Sequence, residues 1–146
     1  MKLYLDTAYL AKNYISEPES DRIQAMVREA SMRASSELVR AEFACTLHRH
    51  VRESRLSRPQ ADKMQALFHS HLRAGIWFLH PITPSLLAHA EERITQLPAS
   101  VFLRSGDAIH LATAEFHGYR EIWSNDRHLL AAAPHFGLTP RSLKYP

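Results

Sequence analysis

The chain has 146 residues, 45% hydrophobic and 23% charged, a composition that fits one globular domain with its own core and excludes disordered and fibrous classes. Its 18 Lys and Arg against 15 Asp and Glu leave a formal charge of +3 and a pI of about 9.2, which favours polyanionic partners. A single cysteine, Cys45, excludes an intramolecular disulfide and every cysteine-based zinc pattern, and it suits a reducing compartment.

The chain begins Met1-Lys2-Leu3-Tyr4-Leu5-Asp6, and an acid this early interrupts any signal-like apolar region. No later stretch is long and apolar enough to span a bilayer, so the expectation is a soluble, cytoplasmic protein without a membrane partner. Leu3-Tyr4-Leu5 reads as a first strand, and Asp6-Thr7 as the cap of a helix to about Ile15. Pro18 is placed to open a second helix through about Ala30. Arg33–Ser36 reads as a weak second strand and Glu37 to about Glu53 as a long helix. Ser57 has the character of an N-cap for a helix to about Ala74, and Ile76-Trp77-Phe78-Leu79 is the clearest strand. Pro84 opens a fifth helix that ends near Leu97-Pro98. Ser105 is expected to cap a sixth, ended by Gly118, before a strand at Glu121–Ser124. Asp126 starts a short helix to about Ala133, and Leu138-Thr139 is expected at a sheet edge. There is no internal repeat and no linker-like composition, so residues 1–146 are expected to form a single domain. Strands alternating with helices point to a doubly wound α/β fold with a largely parallel central sheet flanked by helices. Ligands of such sheets sit beyond the carboxyl ends of the strands, where Asp6 and Asp126 fall.

Hard divalent cations take oxygen ligands, and phosphodiester hydrolysis uses such an ion to activate water, so a pocket of several acids would be a nuclease signature. Each acid also has a structural explanation. Asp6 and Asp126 can be helix caps. Asp107, in the first turn of Ser105-Gly106-Asp107-Ala108-Ile109-His110-Leu111-Ala112-Thr113-Ala114, can interact with a helix dipole, and Gly106 beside it leaves room for a close backbone approach. Glu42 has Leu38, Val39, Cys45 and Thr46 one turn away and Phe43, Ala44 and Leu47 nearby, a setting that reads as buried. A carboxylate there needs a cation, from Arg49 or from a metal.

The segments YLDTAYLAKNY, SSELVRAEF, SGDAIHLATA and WSNDRHLL together resemble the signature segments of PIN domains, and more narrowly those of VapC-like toxins of toxin–antitoxin pairs. The resemblance runs in order from Leu3 to about Leu130. It implies a doubly wound α/β fold with Asp6, Glu42, Asp107 and Asp126 as catalytic residues around one or two Mg²⁺ or Mn²⁺ ions. Asp6 and Asp107 would be direct ligands, and Glu42 and Asp126 direct or water-mediated ones. Thr7 and Ser124 match polar positions that line the same pocket. The implied activity is endoribonuclease cleavage of RNA, held in check by a cognate antitoxin, in a homodimer. Gly106 departs from the bulkier residues frequent before the third acid.

Other residues argue against other classes. The ten histidines include His48 with His50 and His69 with His71, two apart on helices and so pointing to different sides, and no HExxH occurs. His110, one turn beyond Asp107, reads as a core histidine or as a hydrogen-bond partner behind the site. Only four glycines leave no phosphate loop. Arg49, Arg52, Arg55, Arg58 and Lys63 form a solvated basic face or a rim that guides RNA. Met64, Leu67, Phe68 and Leu72 form a stripe suited to core or dimer contact. The rival readings are a DNA-directed nuclease and a non-catalytic nucleic-acid- or protein-binding module on the same scaffold.

Overall fold

The computed structural model describes residues 1–145. Its strands are β1 (Lys2–Tyr4), β2 (Met32–Ser36), β3 (Phe78–His80), β4 (Glu121–Trp123) and β5 (Thr139–Arg141). Its helices are α1 (Thr7–Ala11), α2 (Ser20–Glu29), α3 (Val39–Arg52), α4 (Arg58–Arg73), α5 (Pro84–Thr95), α6 (Ser105–Phe116) and α7 (Arg127–Ala132), the last running into a 3-10 turn at Ala133–Phe136. Strand β1 pairs with β2, β2 with β3 and β4 with β5, all in parallel. A parallel bridge between Leu5 and Trp123 joins β1 to β4, so the strands run β3-β2-β1-β4-β5. This is the doubly wound α/β arrangement that the alternation of elements implies. Chain order reverses between β1 and β4, which is the topological switch point. Among the described residues no helix is long and apolar enough to cross a membrane.

Helices cover both faces of the sheet. Leu3 and Leu5 of the first strand segment point into a cluster with Tyr9, Leu10, Ile23, Phe43 and Phe68. Tyr4, one residue out of phase, enters a second cluster with Leu86, Leu111, Ile122, Leu129 and Phe136. A strand covered on both faces needs an unbroken apolar run, and Leu3, Tyr4 and Leu5 are all fully buried. Strand β2 is the opposite case. Its sequence, Met-Arg-Ala-Ser-Ser, has weak strand propensity, yet Ala34, Ser35 and Ser36 are fully buried between β1 and β3. The Ser35 hydroxyl donates to the Leu5 carbonyl at 2.7 Å, which satisfies a polar group that could not otherwise be buried cheaply.

Local chemistry moved several boundaries. Helix α1 stops at Ala11 because the Asn13 amide donates to the carbonyls of Tyr9 and Leu10, at 3.2 and 3.1 Å, and so competes with the next helical turn. Helix α2 begins at Ser20 rather than Pro18, since Glu19 has φ +68° and the Pro18 carbonyl is taken by the Lys12 ammonium at 2.8 Å. Pairing of β3 starts two residues later than the aromatic run suggests. The Ile76 N–H is held by the His71 carbonyl at 2.9 Å, and Trp77 turns inward to donate to the Tyr14 hydroxyl at 2.7 Å. Ser105 lies inside α6, whose N-cap position is Arg104. Ser57 does cap α4, in a reciprocal box with Gln60.

The core face of α3 and α4 carries much of the first cluster, where Phe43 lies 5.2 Å from Phe68 and 5.3 Å from Tyr14 between ring centroids. Phe43→Ala is expected to cost about 3–5 kcal/mol by urea denaturation, whereas Leu67→Ala, at a position 47% exposed on α4, should cost less than about 0.5. Similar midpoints for the two variants would contradict this division of the α4 stripe.

Candidate active site

Asp6 follows β1 at the bridge to β4, and Asp126 follows β4. Glu42 stands in the first turn of α3 and Asp107 in the first turn of α6. All four carboxylates line one cleft of about 640 Å³, which Thr7, Arg49, Arg104 and His110 also line. Ser124 is not among the lining residues. It is fully buried behind the site, where its hydroxyl donates to Asp6 and accepts the Asp126 N–H at 2.9 Å. One small side chain thus ties the acid after β1 to the acid after β4.

Capping does not use up Asp6 or Asp126, because a carboxylate has two oxygens. Asp6 Oδ1 accepts the Tyr9 N–H at 2.9 Å, and Asp126 Oδ1 accepts the N–H groups of His128 and Leu129, both at 2.9 Å. Asp6 Oδ2 accepts from Ser124, and Asp126 Oδ2 faces Arg104 at 3.1 Å. Burial lifts the Asp6 carboxyl from 3.8 to about 6, even though Ser124 and the Tyr9 N–H favour its charged form. Asp107 is also raised, first by burial and then by the charge of Asp126.

Glu42 does not pair with Arg49, and it is less buried than its apolar neighbours suggested, because this side of α3 opens on the cleft. Its Oε1 accepts from Thr7 Oγ1 and lies against His110 Nε2, both at 2.7 Å. Burial alone would push its pKa up, but the hydrogen bonds of His110 and the Thr7 hydroxyl and the charge of Arg104 outweigh that, and the carboxyl is held below its ordinary value. Gly106 explains the close approach of α6 to α3, since a Cβ there would sit 3.2 Å from Glu42 Oε2. Arg104 was not foreseen as a site residue. Its guanidinium, 62% exposed, lies 3.4 Å from Asp107 and 3.1 Å from Asp126. Its place three residues before Asp107 was the available signal.

These residues match a hard divalent ion in kind. All the carboxylates offer oxygen donors, Asp6 is buried with only neutral partners, and Asp107 and Asp126 repel one another. As they stand, no three His, Cys, Asp or Glu side chains among the described residues are grouped closely enough to hold an ion, and Arg104 spans Asp107 and Asp126. Holding an ion would therefore require these carboxylates to draw closer together than they stand, at a place where Arg104 now neutralises two of them.

The family model of the PIN domain matches residues 3–134, and the chain belongs to that family. PIN domains are generally nucleases that use divalent ions. Among solved structures the fold is similar to a chain of VapBC2 from Rickettsia felis, bound to a DNA fragment from its promoter, with a TM-score of 0.69 and 15% identity over 97% of this chain and 98% of that one. It is also similar to a chain of FitAB bound to the IR36 DNA fragment, with a TM-score of 0.67 and 14% identity over 96% and 94% of the two chains. No curated protein matches.

A carboxyl raised on folding destabilises the protein once it ionises. The Asp6 contribution is fully present below about pH 4 and is lost as pH rises through about 6. At 1.36 kcal/mol per pH unit, the difference between 3.8 and about 6 is worth about 3 kcal/mol. In EDTA, Asp6→Asn should therefore be about 1–3 kcal/mol more stable than the native chain at pH 8 and nearly equal to it at pH 4. Urea midpoints that differ equally at both pH values would refute the assignment.

Proposed function

We propose that this chain is a metal-dependent endoribonuclease that acts as the toxin of a toxin–antitoxin pair. The observation that carries the reading is the gathering of Asp6, Glu42, Asp107 and Asp126 around one cleft at the switch point of a PIN domain. In this reading Asp6 and Asp107 hold Mg²⁺ or Mn²⁺ directly, and Glu42 and Asp126 do so directly or through water. The ion, when bound, polarises the scissile phosphate and lowers the pKa of the attacking water. The side chains prepare the site for it. Ser124 and the Tyr9 N–H fix the Asp6 carboxylate, Thr7 fixes Glu42, and the Asp126 cap on α7 fixes the far wall.

The same cleft offers cations for the substrate backbone. Arg104, once released from Asp107 and Asp126, can turn its guanidinium to a phosphate, for which its fork of donors is suited. Arg49 lies two helical turns along α3 from Glu42, about 10 Å by helical rise, within reach of a phosphate flanking the cut. A cleft rich in carboxylates also attracts an Arg or Lys from a protein inhibitor, which is how an antitoxin would silence the enzyme. By likeness to VapBC2, the resulting complex would bind its own promoter DNA. The working form would be a cytoplasmic homodimer.

Mg²⁺ or Mn²⁺ should support cleavage of single-stranded RNA, and EDTA should abolish it. Glu42→Gln and Asp107→Asn should each lower kcat at least about 100-fold with the fold intact by circular dichroism. Undiminished cleavage in chelated protein, or cleavage of DNA in preference to RNA, would overturn the assignment. Arg49→Ala should raise KM several-fold and reduce the salt dependence of binding, with kcat close to native. A salt profile that does not change would remove Arg49 from the substrate path. Co-expression with the adjacent gene product should yield a stable complex without nuclease activity. Harmless expression of the chain alone would count against the toxin role.

A further inference from the structure

His110 sits 2% exposed on α6, one turn beyond Asp107 and in a stretch of the helix where Leu111, Ala112 and Ala114 are buried too. An imidazole in such a place is costly unless its nitrogens are hydrogen-bonded, and both are. Nδ1 lies 3.1 Å from the hydroxyl of Tyr4, itself fully buried on β1. Nε2 lies 2.7 Å from Glu42 Oε1 and 3.1 Å from Thr7 Oγ1. Thr7 donates to the same Glu42 oxygen. The polar chain Tyr4–His110–Glu42–Thr7 therefore crosses β1, α6, α3 and α1, elements brought together only by the fold.

The direction of these bonds follows from valence. A carboxylate has no proton to give, so His110 Nε2 must donate to Glu42. In the neutral ring Nδ1 is then the acceptor, and the Tyr4 hydroxyl donates to it. Both donors converge on Oε1 of Glu42. Oε2 receives no hydrogen bond among the described residues, and the bare Cα of Gly106 leaves space beside it.

We infer that His110 is a positioning residue of this site: with Thr7 it clamps Oε1 of Glu42 so that Oε2 is presented to the cleft, and Tyr4 locks the tautomer that makes the clamp possible. The inference rests on the nuclease reading for its consequence in catalysis, but the clamp itself has readouts that do not need activity. A leucine would fill the same core volume without the bond, and glutamine would bring an amide nitrogen close to the place of Nε2. Asparagine reaches only the place of Nδ1.

The test compares His110→Leu, His110→Gln, His110→Asn and Tyr4→Phe in the full chain. Nitrogen NMR of the native protein should show the Nε2–H tautomer of His110. Titration with Mn²⁺ alone should show weaker binding in His110→Leu and His110→Asn, with affinity largely restored in His110→Gln. Against single-stranded RNA, His110→Leu should lose about 10–100-fold in kcat, with KM within about two-fold of native. Tyr4→Phe should fall between native and His110→Leu. If His110→Leu does not fold, His110→Asn against His110→Gln gives the same contrast. Native kcat and Mn²⁺ affinity in His110→Leu, a glutamine variant as poor as the leucine one, or an Nδ1–H tautomer would each overturn the inference. If the native chain cleaves no RNA, the nuclease reading fails, while the tautomer and the Mn²⁺ titrations still decide whether the clamp exists.

Discussion

The parallel bridge between Leu5 and Trp123 is the constraint on which the rest of the site depends. It joins a three-stranded and a two-stranded piece, neither of which is large enough to be expected to stand alone. The Asp6 N–H donates to the Trp123 carbonyl at 3.1 Å, so the bridge also fixes where the chain leaves β1. Ser124 repeats the link in side chains, holding the Asp6 carboxylate and the Asp126 backbone together. The sheet core and the acidic cleft are thus two consequences of one strand pairing.

Gathering carboxylates has an electrostatic cost, and the structure meets it differently at each acid. Asp6 is buried among neutral donors, and its pKa rises. Glu42 is offset by His110 and Thr7, and its pKa falls. Asp107 and Asp126 share one exposed arginine, Arg104. An exposed ion pair contributes little to stability, so Arg104 is a cation the site can release without unfolding anything. Asp6 and Asp107, both raised first by burial, are therefore the two acids whose charged forms cost the fold stability.

Much of the architecture was legible in local patterns. The apolar run at Leu3–Leu5, the Ser57 cap, Pro84 at the start of α5 and Gly118 past the end of α6, with φ +75°, are each dictated by short-range chemistry. The boundaries that differ from these patterns have causes of another kind. Asn13 shortened α1, Glu19 delayed α2, and Trp77 left the strand to bond Tyr14. Asn13 competes for carbonyls only three and four residues back, Glu19 takes a rare left-handed conformation, and Trp77 finds a partner 63 residues away, and hydrophobic periodicity records none of these.

The acids themselves, their order and their placement after strands or in first helical turns were determined by the sequence alone, because capping and strand-end chemistry act over a few residues. What those acids touch was decided only by the tertiary structure. Arg49, seven residues from Glu42 on the same helix, was the nearest partner in sequence, yet His110 and Thr7 hold that carboxylate. Ser124 was expected in the pocket wall and stands behind it, because the β1–β4 bridge turns its side chain toward Asp6. Hydrogen bonds and charges are paired by proximity in space. In a sheet whose chain order reverses at its centre, residues 6 and 126 become neighbours through a pairing that no local pattern records.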